Sequence, residues 1–180
     1  MDYHDLEWGV PVRDDRELFA KLMLDGFQAG LSWITILRKR PAFEEAFWGW
    51  DPERIARATA RDEARLMQCE GIIRSGAKIR SSIGNARAYL RIMDKGGDVA
   101  FSEFLWQHVD HRTIQPRFVR RAQVPAITTE SEAMSKSLRA AGFKFCGPTI
   151  CYAFMQAVGM TNDHLRACWR HVGCLIHADR

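Results

Sequence analysis

The chain has 180 residues, 47% of them hydrophobic, and a formal net charge of +4, which suits one domain or two small helical lobes sharing a core. No apolar run reaches the roughly 18–20 residues of a membrane span, and the first residues lack the basic and apolar regions of a secretory signal. Five unevenly spaced cysteines do not make a disulfide framework, so reduced thiols in a cytoplasmic protein are expected.

In chain order the pattern is helical almost throughout. Asp14 and Glu17 have the spacing of a capping box and precede Leu18, Phe19, Leu22 and Met23 at helical intervals. The run Leu24-Asp25-Gly26-Phe27-Gln28-Ala29-Gly30-Leu31-Ser32-Trp33 reads as an apolar helical core segment that nonetheless carries a carboxylate, two glycines and a tryptophan. A buried carboxylate is expensive unless it is used. Glycines on either side of Gln28 admit another backbone or a flat ligand. With Trp33, the run holds the parts of a pocket for an aromatic molecule with a polar edge.

Pro41 is expected to open a short helix through Phe47, and Asp51-Pro52 is an N-cap followed by a proline at the first helical position. A further short helix runs from Arg61 to Cys69. The longest runs from Ser75 to Lys95 with Ile79, Ile83, Ala86 and Leu90 inward, and Gly96-Gly97 stops it. Asp98 is expected to cap a helix carrying Phe101, Phe104, Leu105 and Trp106, and 109–128 reads as a loop. Thr129 and Glu132 then form a second capping box for a helix to Ala141. No stretch alternates with period two for long enough to argue a sheet, so the expected class is all-α. Two basic groups, Arg74/Lys78/Arg80/Arg87/Arg91 and Arg112/Arg117/Arg120/Arg121, are either phosphate contacts or solvated faces.

Gly142-Phe143-Lys144-Phe145-Cys146-Gly147-Pro148-Thr149 ends one helix and opens the next. Such a hairpin presents amides at a helix N-terminus, where the dipole favours anions, and can grip a DNA phosphate without reading sequence. The alternative is an ordinary turn between helices with both phenylalanines in the core. His164 and Cys168, four residues apart, share a helical face as zinc ligands do. Zinc needs two more ligands, and His4, His171 and Cys174 are the candidates.

Taken together these segments resemble the DNA-3-methyladenine glycosylase I family. The resemblance is carried by Tyr3-His4-Asp5-x-Glu7-Trp8-Gly9-Val10-Pro11, Gly26-Phe27-Gln28-Ala29-Gly30-Leu31-Ser32-Trp33, Gly71-Ile72-Ile73-Arg74 with Lys78-Ile79, Gly84 to Leu90, Gly142-Phe143-Lys144-Phe145-x-Gly147 and Asn162-Asp163-His164. It implies a single domain over residues 1–180 with a helix-hairpin-helix glycosylase fold, the hairpin element at about 130–160, and two small lobes flanking a base pocket. Trp33 would stack on the extruded base, with Tyr3 a second pocket aromatic. Asp25, where the family commonly has glutamate, would be the catalytic and edge-reading carboxylate. Gly142, Lys144, Gly147 and Thr149 would hold DNA phosphate. His4, His164 and Cys168 would be three ligands of a structural zinc. The family usually begins with a Cys-x-Trp segment and a further tyrosine, upstream of what this chain contains. Either the true start lies further upstream or part of the pocket has been lost, with water or Cys174 completing the zinc site.

The implied activity is hydrolysis of the N-glycosidic bond of 3-methyladenine in alkylated double-stranded DNA by a monomer, leaving an abasic site. Alkylation at N3 makes the base a cationic leaving group, so extrusion and discrimination matter more than acid catalysis. Asp163 lies near where related folds place an oxocarbenium-stabilising aspartate, but a role orienting His164 is as well supported. The competing reading is a non-enzymatic DNA-binding protein with an incomplete pocket.

Overall fold

A computed structural model describes residues 2–97 and 100–178, all-α among the described residues apart from one isolated bridge between Ile114 and Thr161. A π-helical turn (Tyr3–Glu7) precedes α1 (Asp15–Gln28), α2 (Trp33–Ala46), α3 (Pro52–Ala56), α4 (Ala60–Gln68) and α5 (Gly76–Gly96). Next come α6 (Ala100–Trp106), α7 (Thr129–Ala140), α8 (Pro148–Ala157) and α9 (Trp169–Ala178). Helix α1 is central and packs on α2, α5, α6 and α8, so Leu18, Phe19, Leu22, Met23 and Phe27 are all buried. Helix α5 lies against α3, α4 and α6, and α7 pairs with α8. Among the described residues no helix is long and apolar enough to cross a membrane.

The helix starts follow local chemistry. The Asp14 carboxylate accepts from the amides of Arg16 and Glu17, and Asp51 does the same for Glu53 and Arg54. Three sequence expectations are corrected. The Asp25 run is not one helix: α1 ends at Gln28, the chain turns through Gly30 at φ 80°, and Trp33 begins α2. Pro41 lies inside α2 rather than opening a helix, because Ile36 and Phe43, on either side of it, are both fully buried on the same element. Their burial offsets the roughly 3 kcal/mol that an internal proline costs. The second capping box sits one residue earlier, on Thr128 and Ser131: the Ser131 hydroxyl accepts from the Thr128 amide at 2.9 Å. That register buries Ser131, Met134 and Leu138 together. The cap expected at Asp98 lies outside the described residues.

The basic residues of α5 do structural work. Lys78 Nζ donates to the carbonyls of Phe27 and Ala29 at the end of α1 (2.8 and 2.6 Å). Arg87 donates to Ala56 at the end of α3, and Arg91 to Ala141 at the end of α7. Three cations of one helix thus satisfy the open carbonyl ends of three others, where the dipole also favours positive charge. Arg74 precedes α5 and faces Glu70, and Arg80 faces Glu63. Arg112, Arg117, Arg120 and Arg121 are exposed on the long connection before α7.

Candidate active site

A cavity of about 260 Å³ opens between the N-terminal turn, α1, α2 and the end of α8, lined by Tyr3, Lys21, Trp33, Arg40, Trp50 and Val158 among others. The Tyr3 and Trp33 rings stand 5.4 Å apart and tilted by 46°, so the two expected pocket aromatics do meet. Trp33 Nε1 is buried without a hydrogen-bond partner. Burial and the nearby carboxylates of Asp25 and Glu7 push the Tyr3 hydroxyl far above its usual range, so it is a neutral donor at any working pH. Arg40 holds Glu7 in a two-pronged pair (2.5 and 2.9 Å) at the cavity wall.

Asp25 is 1% exposed and sits behind this wall. Both of its oxygens accept from Lys21 Nζ, at 2.5 and 2.6 Å. The same ammonium lies 4.3 Å from the centre of the Trp33 ring, in cation–π range. Burial pushes the Asp25 carboxyl up and the Lys21 ammonium down, while their mutual attraction opposes both shifts. Lys21 is the residue that sequence reasoning missed. The available signal was its spacing, four residues before Asp25 on one helix. Gln28 and Ser32, which flank the turn, are not in the wall. Gly26 faces Phe145 of the α7–α8 hairpin, where a Cβ would make ordinary contact at 3.5 Å.

Tyr3 also borders a second, larger cavity of about 760 Å³, together with His4, Trp8, Arg121, Asp163, His164 and Cys168. Here the chain ends meet. Cys168 Sγ is 3.6 Å from His4 Nε2 and 3.6 Å from His164 Nδ1. The other nitrogen of each ring is engaged: His4 Nδ1 donates to Asp5 (2.8 Å) and His164 Nε2 donates to the Trp8 carbonyl (3.1 Å). Those acceptors fix the tautomers and leave both lone pairs facing the sulfur. Donors bound tetrahedrally to zinc at about 2.0–2.3 Å stand roughly 3.3–3.8 Å apart; both sulfur–nitrogen distances fall in that range, and the three donor atoms all lie within 4.8 Å of one another. Neither His171 nor Cys174 joins the group: His171 donates to the His164 carbonyl, and Cys174 Sγ lies toward Gly9. Asp163 does not orient His164. Its oxygens accept from Tyr152 (2.5 Å), Gln156 (2.7 Å) and Thr161 (2.7 Å).

The α7–α8 hairpin is built as its glycines suggested. Gly142 takes φ 101°, Phe143 and Cys146 point into the core, and Lys144 and Thr149 are exposed. Asn85 of α5 clamps it, accepting from the Lys144 amide at 2.8 Å and donating to the Lys144 carbonyl at 3.1 Å. Gly147 supplies no side-chain cap and Pro148 starts α8, so the N-terminus of α8 is open to an anion. Phe145 is partly exposed rather than buried in the core.

Comparison with known proteins agrees with this geometry. The family model for methyladenine glycosylases matches residues 1–171. A DNA-3-methyladenine glycosylase of Haemophilus influenzae is 48% identical over 168 residues, 93% of this chain and 90% of that protein. A crystal structure of 3-methyladenine DNA glycosylase I superposes with a TM-score of 0.91 at 46% identity, covering 93% of this chain and 91% of the other. A variant of 3-methyladenine DNA glycosylase I in complex with 3-methyladenine superposes at 0.89 with 36% identity, covering 93% and 89%.

Proposed function

The chain belongs to the methyladenine glycosylase family, and on that footing we propose that it hydrolyses the N-glycosidic bond of 3-methyladenine in double-stranded DNA. The observation that carries this reading is the meeting of Tyr3 and Trp33 at one small cavity, with the buried Asp25 directly behind it and bound to the cavity-lining Lys21. A nucleotide rotated out of the duplex places its base against the Trp33 face. Asp25 accepts from the base's amino group and opposes the positive charge that N3-methylation creates. Tyr3, held neutral, covers the opposite side and donates from its hydroxyl. Departure of the neutral base leaves an oxocarbenium-like sugar that water attacks. No lysine follows Gly147 to form a Schiff base with the sugar, so the product is an abasic site.

The hairpin supplies the grip on DNA. Gly142, Lys144, Gly147 and Thr149 surround the open start of α8, and Arg121 is exposed at the rim of the neighbouring cavity. His4, His164 and Cys168 would hold a structural zinc, which supplies a cross-link between the chain ends and no step of the reaction. The enzyme acts as a cytoplasmic monomer.

The test is incubation of the protein with methylated duplex DNA and chromatography of the released bases. Free 3-methyladenine above a heat-inactivated control is expected; no release overturns the reading.

A further inference from the structure

We propose that Lys21 is a specificity-determining residue of this pocket, a resident cation that occupies the place of the charged base and leaves it for Glu17 when a base enters. The inference rests on the base-pocket reading above. Two contacts are asked of a cationic base there: an aromatic face at Trp33 and a carboxylate at Asp25. Lys21 Nζ makes both, at 4.3 Å from the ring centre and at 2.5 and 2.6 Å from the two oxygens. A base cannot take either contact while the ammonium stays.

The way out is built into α1. Glu17 lies four residues before Lys21 and lines the same cavity, but it is exposed, whereas Asp25 lies four residues after Lys21 and is buried. The lysine therefore chooses between two carboxylates one helical turn away in opposite directions, by rotation about its own side-chain bonds. Glutamate preceding lysine by four is the favoured orientation on a helix. Of the two other carboxylates that line the cavity, Glu7 is already held by Arg40, and Glu44 on α2 also acts on that arginine. An ordinary, uncharged adenine that displaced Lys21 would leave Asp25 without a cation. A methylated, positively charged one replaces the charge that it removes.

The experiment measures binding of the 3,9-dimethyladeninium cation, which keeps the positive charge that the methylated base has while attached to the sugar, by calorimetry to the full chain, to Lys21→Met, to Glu17→Gln and to the double variant. Excision by the unsubstituted protein is assayed in parallel. A pocket whose open form is about one-tenth populated binds roughly tenfold more weakly than a pocket always open, so Lys21→Met is expected to tighten binding about tenfold. Glu17→Gln removes the lysine's destination and is expected to weaken binding about threefold when Lys21 is present and not at all when it is replaced. Unchanged or weaker binding by a folded Lys21→Met, or equal effects of Glu17→Gln in both backgrounds, overturns the proposal. Should Lys21→Met fail to fold, Glu17→Gln alone decides: weaker binding supports the exchange and unchanged binding overturns it. An unsubstituted protein that neither binds this cation nor excises 3-methyladenine from DNA overturns the pocket reading and this inference with it. One that does both while the variants show no change overturns the inference alone.

Discussion

Trp33 is the residue on which enzyme and mere DNA binder part ways. It is half-buried, packs beside the core and has an unpartnered Nε1, so its removal opens the cavity without emptying the centre of the molecule. Trp33→Ala is expected to reduce excision about a hundredfold, from the loss of roughly 2–3 kcal/mol of stacking and cation–π energy. DNA affinity measured by gel shift should stay within about twofold of the parent, since phosphate contacts supply most of it. Asp25 and Trp33 were legible as residues because a carboxylate and a glycine pair interrupt an apolar run. Lys21 was not, because a lysine on an amphipathic helix reads as solvated. Only the fold, which carries α2 and Tyr3 over α1, turns that position inward.

At the scale of elements, the hairpin depends on a neighbour. Asn85 replaces the hydrogen-bonding partners that Lys144 loses by lying in a turn, and it is 4% exposed. Asn85→Ala leaves the partly buried amide and carbonyl of Lys144 without this partner and is expected to destabilise the protein by about 1–2 kcal/mol, seen as a lower Tm. Lys144→Ala should leave Tm unchanged. It should lower DNA affinity on every sequence and reduce the slope of log affinity against log salt by about 0.9. The caps at Asp14 and Asp51 were readable because each is settled within three residues. The break at Gly30 and the continuation through Pro41 were not, because tertiary burial of Ile36 and Phe43 decides them. The cations of α5 were ambiguous for a similar reason: their partners are the ends of helices distant in sequence.

For the whole molecule, the decisive arrangement is the joining of its two ends. The segment from Gly9 to Val12 hydrogen-bonds to the carbonyls of Ala157 and Val158, and Trp8 is bonded to His164. Gly9 has φ 82°, and a Cβ there would lie 2.9 Å from His164 Nε2. Gly9→Ala is therefore expected to destabilise by about 1–3 kcal/mol, or roughly 2–4 °C of Tm for each kcal/mol in a chain of this size. If His4, His164 and Cys168 hold zinc, metal analysis of purified protein gives close to one equivalent, and a strong chelator lowers Tm; a metal content near zero refutes the site. Tyr3 rides on this junction, which brings together residues 164 apart in sequence. The Tyr3 side of the smaller cavity consequently depends on contacts from both halves of the sequence. On the proposed reading, loosening that junction weakens the hold on a base while the α7–α8 hairpin, clamped separately by Asn85, keeps its hold on phosphate.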